Sequence, residues 1–365
     1  MKLQELISYL EYIAPLSYQE DYDNSGLITG NSELEVTSAL ISLDCTEEIV
    51  DEAIAKGCNL IISHHPIVFK GLKKFNGKTY VERVIIKALK NDIALYAIHT
   101  NLDHVQQGVN SKICEKLGLV DAQILFPKET LLFKLTTYVP SAYADAVRSA
   151  LFLAGAGTIG KHSDCSFNVS GYGTFKASES ANPFVGEKGS VHREEELKIE
   201  VVFPSPRKTA IISALKDAHP YEEVAFDIYQ LSNAHSEVGS GMIASLANPM
   251  DEMEFLKLVK TKLNAKVIRH TALTGKQVTK VSVCGGSGSF LLRNAISAKS
   301  DAYITGDFKY HEFFDAENKI LIADVGHYES EQFTQELLYE ILQKKFPNFA
   351  LHLTVFNTNP INYLI

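Results

Sequence analysis

Leu60-Ile61-Ile62-Ser63-His64-His65-Pro66 is an apolar run that stops at two adjacent histidines and a proline. A short continuous apolar run is the signature of a strand buried on both faces of a parallel sheet, and open α/β sheets hold ligands beyond the carboxyl ends of their strands. His64 and His65 stand at such an end. A histidine pair alone carries little: one ring capping a hydrogen-bond network and the other in solvent is an equal alternative.

The neighbouring residues supply the fold class. Residues 36–44 read as a strand ending in Asp44. Residues 46–54 follow with a Thr cap, early acids and helically spaced apolar positions, and Gly57 closes that helix. After the histidine turn come a lysine-bearing loop, a helix over about 80–90 and a strand over 93–98. Strand and helix alternating within this span predict parallel βαβ units and an α/β layer. The strand at 93–98 runs into His99-Thr100-Asn101-Leu102-Asp103, so two successive strands end in loops that bring His64, His65, His99 and Asp103 to one sheet edge.

Two domains are expected of 365 residues. The texture changes near residue 126. Strands over 131–139, 162–178, 196–203 and 224–231, with helices over 141–155 and 205–218 and a polar loop at 179–195, follow the β-α-β-β-α-β order of a ferredoxin-like domain. The expected organisation is a discontinuous α/β domain, 1–125 with 240–365, interrupted by an inserted ferredoxin-like domain at 126–239. Within the insertion His162, His192 and His219 are scattered and read as ordinary polar residues. Beyond it, a helix over 251–263, a strand starting at Lys266 and a strand over 278–284 precede Gly285-Gly286-Ser287-Gly288-Ser289. That glycine run either cradles an anion at a helix start or permits close strand–helix packing; it lacks a nucleotide-binding spacing. A last core strand, 319–323, leads into His327 and Glu331, which are four apart and share a helix face.

Composition narrows the function classes. Hydrophobic residues make up 45%, yet no apolar run reaches the roughly 18 residues of a membrane-spanning helix. The amphipathic stretch at 1–18 reads as a docking helix without an export signal. Five cysteines without a close pair point to reduced thiols and a cytoplasmic location. A net charge of −9 argues against nucleic acid as a partner, and Lys70, Lys73, Lys74 and Lys78 read as a solvated loop in preference to a basic patch.

His64, His65, Asp103, His327 and Glu331 therefore stand as candidate ligands, each past a strand end or at a helix start. Imidazole with carboxylate suits zinc, iron, manganese, nickel or cobalt. Five side chains exceed the needs of one open catalytic ion and suit two ions sharing a carboxylate.

Four segments, Glu20-Asp21-Tyr22-Asp23-Asn24-Ser25-Gly26-Leu27, Ile61 to Pro66, His99 to Asp103 and Gly326-His327-Tyr328-Glu329-Ser330-Glu331, together resemble the Nif-three-like dinuclear metal family, whose members carry the name GTP cyclohydrolase 1 type 2 homologue. The likeness covers both chain ends and is to the long bacterial form, with an inserted domain similar to the PII and CutA proteins. It implies two divalent metal ions, zinc first among the compatible metals, on His64, His65, Asp103, His327 and Glu331, with Glu331 bridging. It also implies a homo-oligomer, a hexamer built from trimers or dimers. Tyr22 departs from the tryptophan common in the family and touches packing near the entrance. The resemblance implies a metal-dependent hydrolase of a nucleotide, phosphoester or related heterocycle. His99 would be its catalytic acid or base, or else would hold Asp103 by a hydrogen bond. The alternative is a non-enzymatic metal-handling or regulatory ring, whose middle domain senses a small molecule or engages a protein.

Overall fold

The structure, a computed structural model, describes residues 1–364, which divide into two compact units: 1–127 with 237–364, and 128–236.

In the first unit the chain opens with α1 (Leu3–Ile13), which buries Leu3, Leu6, Ile7 and Leu10, the stripe that its 3.6-residue spacing places on one face. There follow β1 (Gly26–Thr29), β2 (Ser38–Ser42), α2 (Glu47–Lys56), β3 (Leu60–Ser63), α3 (Tyr80–Lys90), β4 (Ala94–Ala97), α4 (Thr100–His104), α5 (Val109–Leu117) and β5 (Val120–Lys128). Every residue of β2, β3 and β4 is buried, and the three strands pair in parallel, Ala39 against Leu60 and Leu60 against Ala94. Helices start and stop where the side chains dictate. Thr46 and Thr79 accept the N–H groups of Ile49 and Glu82 at the starts of α2 and α3, and Gly57 ends α2 at φ 68°. Leu40, Ile49, Val50, Ile61, Val84 and Leu95 form one core between strand and helix. Truncating one of them, such as Ile61, to Ala would cost about 2–5 kcal/mol.

The second unit runs β6 (Leu132–Pro140), α6 (Ala144–Leu153), β7 (Phe167–Lys176), β8 (Val191–Pro204), α7 (Lys208–Ala218) and β9 (Phe226–Gln230). Its sheet is antiparallel, in the order β7-β8-β6-β9. Alternate residues Leu135 and Val139 on β6, and Ile199, Val201 and Phe203 on β8, meet Val147, Leu151, Ile211 and Leu215 from the helices. β8 starts at Val191, inside the segment expected to be loop, because residues 191–195 pair with β7 from Lys176 back to Tyr172. Val191-His192-Arg193-Glu194-Glu195 has no apolar face to announce that pairing.

The chain then re-enters the first unit through β10 (His235–Asp251), α8 (Glu252–Lys262), β11 (Arg269–His270), β12 (Gln277–Ser287), α9 (Leu292–Ser297), β13 (Ala302–Gly306), β14 (Leu321–Asp324), α10 (His327–Glu331), α11 (Thr334–Lys345) and β15 (Ala350–Leu353). The unit holds two sheets, β1-β4-β3-β2-β15 and β11-β14-β13-β12-β10-β5. The strand expected to start at Lys266 is only the two residues of β11. β12 continues through Gly285, Gly286 and Ser287, so the first half of the glycine run is strand and not a turn into a helix. No helix among the described residues is long and apolar enough to cross a membrane.

Candidate metal centre

Both sheets contribute to one cluster. β3 ends at Ser63 and delivers His64 and His65; β4 ends at Ala97 and delivers His99 and, from α4, Asp103. From the other sheet, β14 ends at Asp324, and α10 begins with His327 and ends with Glu331. These residues line a cavity of about 860 Å³, except His64, which is fully buried beside it. Three groups of side chains, His64 with Asp103 and Glu331, His65 with His327 and Glu331, and His64 with His65 and His99, each hold donor atoms within 4.8 Å of one another. Glu331 belongs to two groups and presents one oxygen to each. Its Oε1 lies 3.9 Å from His64 Nε2, while its Oε2 lies 2.9 Å from His65 Nε2 and 3.0 Å from His327 Nε2.

Ring orientation is set from behind. His64 Nδ1 is 2.8 Å from the Ile98 carbonyl, His65 Nδ1 is 2.7 Å from Asp44 Oδ1, and His327 Nδ1 is 2.7 Å from Asp307 Oδ2. A ring whose Nδ1–H donates to such an acceptor turns its Nε2 lone pair inward, the arrangement that metal-ligating histidines use. His99 follows the same pattern, with Nδ1 2.7 Å from Asp23 Oδ1. Its carbonyl accepts the Asp103 N–H at 3.1 Å, so His99 helps to hold Asp103 through the backbone. Asp23 also accepts from the Thr100 N–H and hydroxyl and from Ser25, which locks the loop carrying His99.

Burial, followed by the Glu331 carboxylate, pushes Asp103 up to about 7. Burial opposes ionisation of Glu331 as well, but His327, His64 and His65 hold it well below the usual carboxylate range. Burial disfavours charge on His65, yet its hydrogen bonds to Asp44 and Glu331 prevail and push it up to about 10. His327, facing Glu331 and Asp307, is pushed up to about 11. Protons are thus held between these groups, where a cation would serve. His64 Nε2 and Asp103 Oδ1 are buried without a hydrogen-bond partner and lie 3.6 Å apart. Leaving two such atoms unpaired costs on the order of 1–3 kcal/mol each, and a divalent ion between them would satisfy both. The donor set of imidazole and carboxylate fits such an ion.

Asp44, Asp307 and Asp23 do not stand out in the sequence as parts of the site. Asp44 reads in the sequence only as an acid at a strand end, and the hydrogen-bond partners of Asp44 and Asp307 follow other strands. Gly285 and Gly286 belong to the same machinery. Their N–H groups go to Asn110 Oδ1 and Ser330 Oγ, not to an anion, and a Cβ on Gly286 would stand 2.3 Å from Glu331 Oε1. Close packing is what this glycine run provides.

Fold and site together define an α/β protein with a histidine–carboxylate cluster, shared between two sheets, that could hold metal. The family described as Duf34/NIF3 (NGG1p interacting factor 3) matches residues 1–361, and the chain belongs to it. It is 39% identical over 367 residues to the GTP cyclohydrolase 1 type 2 homolog of Bacillus subtilis, covering 99% of this chain and 98% of that one. The homolog of the same name from Halalkalibacterium halodurans is 37% identical over 366 residues, again covering 99% and 98%. Among solved structures, a Bacillus cereus protein related to NIF3 superposes with a TM-score of 0.85 at 37% identity, covering 100% of this chain and 99% of that one.

Proposed function

We propose that the chain is a dinuclear divalent-metal protein acting as a metal-dependent hydrolase on a nucleotide, phosphoester or related heterocycle. The observation that carries the reading is Glu331, whose two oxygens face two separate donor groups. His64, Asp103 and Glu331 would hold one ion; His65, His327 and the same Glu331 would hold the other. Bound there, two ions supply Lewis acidity and lower the pKa of water. The GTP cyclohydrolase 1 type 2 homolog name of the relatives agrees with a heterocyclic substrate.

The chain's own residues have separate tasks. His99, its Nδ1 held by Asp23, has a ring nitrogen within 4.8 Å of ring nitrogens of His64 and His65 and lines the cavity, where it can give or take a proton. Tyr22, Phe69, Tyr80 and Phe290 offer rings to a planar base, and among the described residues no Lys or Arg lines the cavity, so an anionic group entering it depends on the metal for neutralisation. The resemblance to the family extends the reading to a homo-oligomer, with a hexamer as its expected form.

The test is metal content followed by a nucleotide and phosphoester panel, in the parent and in Glu331→Gln. Metal and turnover lost together support the reading. Turnover retained by metal-free protein overturns it, and a fully loaded parent inert across the panel favours a carrier or regulatory ring.

A further inference from the structure

The second unit contains a cavity of about 620 Å³ of its own, walled by strands β7 and β8 and by the segment from Ala177 to Phe184, with Tyr221 to Ala225 closing one side. Phe175, Phe184 and Tyr221 form its aromatic wall, with Tyr221 6.3 Å from Phe175 and 6.2 Å from Phe184 between ring centres. Glu196 stands among them. Its Oε1 accepts the Tyr221 hydroxyl at 3.0 Å, and its Oε2 has no hydrogen-bond partner among the described residues.

Two features show this carboxylate to be placed there by construction. Gly171, which pairs with Glu196, has nothing within 4 Å of where its Cβ would lie, and a Cβ on Gly173, two residues along β7, would stand 2.3 Å from Glu196 Oε2, so the strand leaves the floor open. The charge balance is also one-sided. Glu196, Glu222 and Glu223 line the cavity against a single Lys198, and that ammonium is already paired with Glu200 at 2.6 Å. Glu222 accepts the Asn182 N–H, whereas Glu196 is set against the aromatic wall by its contact with the Tyr221 hydroxyl.

Aromatic faces attract cations through their quadrupole, and a carboxylate adds a counter-charge. The geometry points to a binding site for a small organic cation, an alkylated or quaternary ammonium group held by Phe175, Phe184 and Tyr221 with Glu196 as counter-ion. Anions are disfavoured by the three carboxylates, and a neutral apolar molecule would gain nothing from Glu196. The site is independent of the metal cluster and of the hydrolase reading.

Choline and its neutral carbon counterpart 3,3-dimethylbutan-1-ol separate the possibilities when titrated into the full chain and followed by saturation-transfer NMR. Choline is expected to bind about tenfold more tightly than the alcohol. Glu196→Gln and Phe184→Ala should each erase most of that preference, and Gly173→Ala, whose methyl displaces the carboxylate, should do so with both binding partners chemically intact. Phe184 is half exposed in a surface loop, so its variant reports even where Glu196→Gln fails to fold. Equal binding of the two probes, no binding of either, or a preference unmoved by Glu196→Gln and Phe184→Ala overturns the assignment.

Discussion

Gly286→Ala isolates the packing that holds Glu331. Gly286 has φ 63°, so an alanine there carries left-handed strain of about 1–2 kcal/mol wherever it sits in a protein. In addition its Cβ would lie 2.3 Å from Glu331 Oε1, and restoring an ordinary contact of roughly 3.4 Å moves that oxygen by about 1 Å. Glu331 is fixed by His65 and His327 on its other oxygen, so the displacement falls on the side facing His64 and Asp103. Disturbing a residue that orients a ligand typically costs 10–100-fold in metal affinity, and a moved ligand is expected to cost about as much. Gly57→Ala is the control, because Gly57 has φ 68° and nothing within 4 Å of its Cβ position. Both variants should lower the melting temperature of metal-free protein by about 2–4 °C per kcal/mol of strain. Only Gly286→Ala should lose zinc affinity in a chelator-competition titration, by at least about tenfold and, on the two-ion proposal, at the site facing His64 and Asp103. Equal zinc affinity in the two variants would refute the packing argument.

The other expectations concern the same cluster. Asp44→Asn keeps the volume but weakens the acceptor behind His65, so zinc affinity should fall about 10–100-fold with little change in the metal-free fold, as chelator competition against circular dichroism will show. In metal-free protein the raised His65 and His327 contribute stability fully below the unfolded value near 6.5 and lose it as pH rises through about 10 and 11; Asp103 acts in the same direction between its unfolded value and about 7. The ligands of a loaded protein are already deprotonated, so the melting-temperature gap between loaded and metal-free protein should widen from pH 6 to 9; a constant gap contradicts the assigned ligands. Zinc addition at pH 7 should release protons, seen by calorimetry in buffers of different ionisation enthalpy, and no buffer dependence would count against His65 and His327 as ligands.

Much of the first unit could be read locally. β3, α3 and the α2 caps are written in runs, spacings and capping residues whose meaning needs only neighbours in the chain, and α10 follows from an i,i+4 pair. β5, β10 and β15 could not be read that way. β10 mixes Gly, Ser and Pro with apolar residues, and is a strand because it pairs with β12; β15 is short and half-exposed, and is held by β2. Strand pairing is non-local, and β-propensity follows context.

The same division runs through the site. The sequence by itself determined the donor chemistry: two histidines at one strand end, an aspartate past the next, and a histidine and glutamate one helical turn apart. Only the tertiary structure decided that Glu331 faces two groups at once, that His64 Nε2 and Asp103 Oδ1 are left buried and unpaired, and that Asp44, Asp307 and Asp23 stand behind the rings. The physical reason is distance along the chain. Glu331 meets His65 across 266 residues, and the partner behind each ring comes from another strand or loop, so no local spacing records the contact.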